Sequence, residues 1–93
     1  MKIKPISSVE TAIRIYYTYP EIGNEQMREL FGGLGNSTAA KYKRPVRDIQ
    51  IERKIPTMSV ATVNTKVAYE VWGIDIEDLV ERRRMLKKLG MTA

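Results

Sequence analysis

Apolar residues recur along most of the chain at the three- and four-residue spacing of helices. Val9, Ala12, Ile13, Tyr16 and Tyr17 form a first such stripe. Ser7 precedes it with Glu10 three residues on, the pairing of a capping box, and Pro20 closes the segment because it has no amide to extend the ladder. Ile15 and Tyr19 fall outside the stripe; each either widens it or marks a surface for a partner. Asn24 reads as the N-cap of a short second helix whose apolar face is Met27, Leu30 and Phe31. Gly32 and Gly33 stop that helix, since glycine accepts the left-handed backbone that ends helices. After Leu34 and Gly35, Asn36 reads as the N-cap of a third helix beginning at Ser37.

Pro45 makes the third helix the hardest to read, because its ring collides with the carbonyl one turn back, at Lys41. The helix either ends near Arg44 or runs on with a kink to about Lys54. Ala39, Tyr42, Val46 and Ile49 keep one apolar face and favour continuation. Against it, Ile49 and Ile51 alternate with Asp48, Gln50 and Glu52 at the period of a strand, which would make residues 47–63 a β-wing. The helix is the preferred reading. Pro56 ends this segment, and the β-branched residues 57–63 predict extended chain. Asn64 caps a helix from Thr65 to Trp72, stopped by Gly73. Asp75 caps a last helix from Ile76 to about Leu89, with Ile76, Leu79, Val80, Leu86 and Leu89 on one stripe, the Arg83 stem lying across it, and Gly90 as its stop. The predicted fold is all-α: a three-helix core in residues 1–55, then a linker and a C-terminal helical pair in residues 56–93, within one domain.

Ninety-three residues suit one domain, and chains of this size bury only about 60–65% of their unfolded surface, so oligomerisation is a natural means of support. The absence of Cys excludes disulfides, zinc ribbons and thiol chemistry; the absence of His removes the commonest metal ligand and the usual general base. No apolar stretch has the length of a signal peptide core or of a bilayer span, which predicts a soluble, cytoplasmic protein without membrane contact. Ser, Lys, Tyr and the carboxylates stand in no spacing that implies a nucleophile with its base. Glu77 and Glu81 share a helix face but lack a second ligand helix. The expectation is therefore no catalysis, no metal and no cofactor.

The net charge of +5 is too small to name a partner, but it is unevenly placed. Residues 1–40 carry four bases and four acids. Residues 41–54 carry six bases (Lys41, Lys43, Arg44, Arg47, Arg53, Lys54) against Asp48 and Glu52, for +4. The second basic run, Arg82–Lys88, follows the acids Asp75–Glu81 in the order a helix dipole favours, and reads as a solvated helix.

The helix, glycine turn and helix from Asn24 to Arg44 resemble a helix-turn-helix DNA-binding unit, in which Met27, Leu30, Phe31, Gly32, Leu34, Ala39 and Tyr42 fill the packing positions. It departs from the commonest pattern in the extra Gly33 and in Arg28, where a small residue is usual. With Ala39, Tyr42 and Val46 inward, Ser37, Ala40, Lys41 and Arg44 turn outward together. Lys41 and Arg44 suit guanine O6 and N7, with Asn36, Ser37 and Ala40 the other base-contact candidates; Thr38, Lys43 and Arg47 are the phosphate candidates. Asp48 continues this face and would repel phosphate. The resemblance implies double-stranded DNA as partner and a role as a transcriptional regulator of the small bacterial, phage or mobile-element type. Two recognition helices about 34 Å apart would further imply a homodimer. Alternatives are a phage recombination or DNA-packaging accessory factor, or a helical interaction module that binds no DNA. Tyr19, Trp72, Leu79 and Leu86 are the candidates for a dimer surface, and an intramolecular cap is an equal reading of the C-terminal pair. Tyr16, Tyr17 and Tyr19 sit on a helix rather than a sheet, so packing is preferred over a base-stacking platform.

Overall fold

Residues 2–90 are described by a computed structural model; Met1 and residues 91–93, the outer ends of the two predicted segments, lie outside the described residues. The first helix, α1 (Val9–Thr18), is capped by Ser8, whose hydroxyl oxygen accepts the Thr11 amide at 3.0 Å. Ser7, the predicted cap, instead serves the next helix. Ile15 is fully buried with Ala12 and Ile13 because α1 is covered on two sides, by α2 (Asn24–Phe31) and by α5 (Ile76–Lys88).

Both of the following N-caps lie one residue earlier than predicted. Gly23 caps α2, its amide donating to Gln26 Oε1 at 2.9 Å, and Gly35 caps α3 (Asn36–Glu52). Asn24 and Asn36 are first helical residues, and their side chains are turned toward each other. Asn64 and Asp75 do cap α4 (Thr65–Val71) and α5, accepting amides of the first turn.

The fold is mostly helical with one small sheet that the periodicity did not predict. β1 (Glu21–Ile22) pairs antiparallel with β2 (Val63–Asn64), Glu21 opposite Asn64 and Ile22 opposite Val63. No wing forms at 47–63: α3 runs through Pro45 to Glu52, and of the predicted extended stretch 57–63 only Val63 joins a strand. The burial is the reverse of what a strand would need. Ile51 is 76% exposed, while Gln50 is buried, its Oε1 accepting the Asn64 amide at 2.9 Å and its Nε2 donating to the Ile55 carbonyl. That side chain ties the end of α3 to β2.

A single core draws on both halves of the chain. Phe31, Tyr42 and Trp72 stack edge-on or tilted with centroids 5.4–6.3 Å apart, and the Trp72 indole donates to the Tyr42 carbonyl at 2.9 Å. The Tyr69 hydroxyl donates to the Ala12 carbonyl at 2.7 Å and the Thr65 hydroxyl to that of Tyr19 at 2.6 Å. Burial pushes the Tyr69 hydroxyl above the ordinary phenol range, so it stays a donor. The C-terminal helices therefore pack on the N-terminal core. Trp72 and Leu79, candidates for a dimer surface, lie inside the chain instead: Trp72 is buried against Phe31 of α2 and Tyr42 of α3, and Leu79 is buried on α5, which packs on α1. Tyr19 and Leu86 are half-buried. Tyr16 packs on Tyr69 rather than offering a platform. Among the described residues, no helix is long and apolar enough to cross a membrane.

Candidate nucleic-acid interface

Two glycines and the N-terminal segment hold the junction between α2 and α3. Gly32 (φ 71°) and Gly33 (φ 112°) take the left-handed conformation that side chains resist, and their amides return to the Glu29 and Arg28 carbonyls in a Schellman arrangement. Ser7 then satisfies one more carbonyl of the last turn and reinforces another: its amide donates to Leu30 O and its hydroxyl to Glu29 O, each at 2.7 Å. Lys4 laces the other side, its ammonium donating to the Gly33 carbonyl at 2.9 Å and its amide to the Tyr42 hydroxyl at 3.0 Å. These bonds hold the turn that carries Gly33. Arg28 stands beside the same junction. It is exposed, and its guanidinium reaches Asn36 Oδ1 at 2.9 Å, joining α2 to the start of α3.

On α3 the spacing of Ala39, Tyr42 and Val46 turns all three into the core beside Met27, Leu30 and Phe31, with Leu34 half-buried over the turn. Ser37, Ala40, Lys41 and Arg44 are exposed on the opposite side. Among the described residues, Lys41 and Arg44 make no hydrogen bond or ion pair within the protein. Asn36 is exposed, and its Oδ1 is occupied by Arg28 and Asn24, which leaves only its amide nitrogen without a partner among the described residues. Thr38 is half-buried.

Three other bases of the charge window are engaged within the protein. Lys43, a phosphate candidate by spacing, is only 7% exposed, and its ammonium donates to the Ala61 carbonyl at 3.2 Å. Burial, with the nearby Arg47 charge, holds its pKa below the ordinary lysine value. It is a poor phosphate ligand because loop 57–62 closes over it. Arg47 is half-buried and hydrogen-bonded to the Val60 carbonyl. Arg53 makes a bidentate pair with Glu70 (2.7 and 3.1 Å), which holds the Glu70 carboxyl below the usual carboxylate range. Asp48 is exposed one turn beyond Arg44. Of the six bases, Lys41 and Arg44 thus stand unpaired at the centre of the outer face and Lys54 at the far end, while Arg47 keeps its charge beside them on a neutral carbonyl.

The charge-window reading overlooked Lys2, Lys4 and Arg28, which stand around the same helix junction: Tyr42 also bonds the Lys2 carbonyl, so this basic segment lies against α3. The signal available was the pair of lysines flanking Ile3, but nothing local placed that segment near residue 42. Comparison with known proteins finds no matching family model, no similar curated protein and no similar solved structure.

Proposed function

We propose that α2, its glycine turn and α3 act as a helix-turn-helix unit that binds double-stranded DNA in a sequence-specific manner, as a transcriptional regulator of phage or mobile-element type. The observation that carries this reading is the outer face of α3: Lys41 and Arg44 are exposed and unpaired, with the small Ser37 and Ala40 on their N-terminal side. Such a face can approach base edges closely, where a lysine or arginine can donate to guanine O6 and N7. Ser37 and the Asn36 amide nitrogen reach toward bases or phosphate near the helix start, and Thr38 stands where the uncapped first amides of α3 favour an anion. Arg47 borders the face and serves phosphate. Asp48 sets the limit, because its carboxylate would repel the backbone; contact ends at about Arg44 to Arg47. Lys43 is not part of this interface. A homodimer through the C-terminal pair loses support, since Trp72 and Leu79 are spent within the chain.

Salt titrations of the two neighbouring lysines test the assignment. Lys41→Ala should flatten the dependence of log affinity on log salt by about one unit. Lys43→Ala should leave that slope unchanged and lower stability by about 1–2 kcal/mol, through lost packing and an orphaned carbonyl. Equal changes of slope in both variants would show that the outer face has been misassigned.

A further inference from the structure

Residues 56–62 carry no charge, yet they turn two apolar side chains to solvent: Met58 is 82% exposed and Val60 93%. The loop is held in place by its polar groups. The Met58 amide donates to one oxygen of the Glu21 carboxylate at 2.7 Å, and the Thr62 hydroxyl bonds the other. The Val60 and Ala61 carbonyls accept from Arg47 and Lys43 of α3. These bonds tie the loop to β1 and α3 and leave an apolar tip facing outward on a pinned loop.

Its position relative to α3 gives that tip a use. Lys43, Arg47 and Gln50 line one flank of the helix at i, i+4 and i+7, next to the face of Ser37, Ala40, Lys41 and Arg44. A helix about 10–12 Å across fills a major groove about 12 Å wide, so a loop on its flank meets the groove wall and the minor groove beyond. We propose that Met58 is a wedge that enters the minor groove and unstacks a base step, with Val60 against the sugars, so that the protein bends the duplex it binds. The proposal rests on the reading of α3 as the groove-seated helix. Nucleic acid is the fitting partner because the loop adjoins that face through Arg47. Its nearest acid, Glu21, is tied into the loop by both oxygens, and helical geometry puts Glu52 across α3 from this flank, with Asp48 on the outer face beyond Arg44. Apolar residues inserted between base steps kink duplexes by about 20–90°.

The test uses the full chain and a duplex recovered by it from a randomised pool, with energy-transfer dyes at the two ends and 2-aminopurine along the flanking minor-groove steps. Wild type should shorten the end-to-end distance by a bend in that range and raise the emission at one step. Met58→Ala with Val60→Ser should bind with the bend and the emission change lost, while Met58→Leu should retain both. Both side chains are exposed, so the variants keep the fold. Binding without a bend, or a bend unchanged in the double variant, overturns the wedge alone. Failure of wild type to bind any duplex overturns the reading of α3 and the wedge with it.

Discussion

Replacing Lys41 and Arg44 together by Ala should weaken binding to a duplex selected from a randomised pool by about 2–4 kcal/mol, roughly 30- to 1,000-fold. The size follows from position. Both side chains are exposed on the outer face of α3 and make no contact that folding would miss, so the loss falls on the complex. Arg44→Ala alone should also relax the preference at one base position, since guanidinium to guanine is the more directional of the two pairings. Thermal midpoints of the variants should match wild type. A loss of less than about threefold in the double variant would mean that bases are read elsewhere.

Trp72→Ala should cost about 3–5 kcal/mol of folding stability, against a total of about 5–14 kcal/mol for a chain of this length. The indole is wedged among Phe31, Tyr42 and the α4–α5 turn, and its N–H satisfies the Tyr42 carbonyl. Removing it leaves a cavity beneath the middle of α3 and takes away a second donor to that carbonyl, so the helix carrying Lys41 and Arg44 loses its support from below. Urea denaturation followed at two protein concentrations distinguishes this from a role between copies. The same loss is expected at both concentrations, whereas a residue buried only in a dimer would give a midpoint that rises with concentration. A loss below about 1 kcal/mol would contradict the core assignment.

Features governed by neighbours in the chain were legible in the sequence. The glycine stop after Phe31, the inward set Ala39, Tyr42 and Val46, and the caps Asn64 and Asp75 each depend on backbone preference or on a helical period within a few residues. What was missed depends on distant partners. β1 and β2 are two residues each and exist because Ile22 and Val63 meet in the core, which no local pattern encodes. Gln50 looked like the polar half of a strand; its burial makes sense only once Asn64 and Ile55 are beside it. Ser7 had the local signature of a cap in Glu10, but the carbonyls of α2 draw it away and leave the cap to Ser8. For the candidate interface, spacing placed Lys43 correctly on the flank of α3, but whether that flank is wet depends on loop 57–62. Trp72 and Leu79 looked available to a partner because the count of apolar residues says how much surface must be covered, not by what.

The central claim, that α3 presents a cationic face to duplex DNA, is tested most directly by titrating the wild-type protein against a random duplex at two salt concentrations. With Lys41, Arg44 and Arg47 as the main cations and Lys2 and Lys4 close to the same junction, measurable binding at low salt is expected, with log affinity falling against log salt at a slope of about −2 to −4. No duplex binding at low salt, or an affinity that does not change between the two concentrations, would contradict the account.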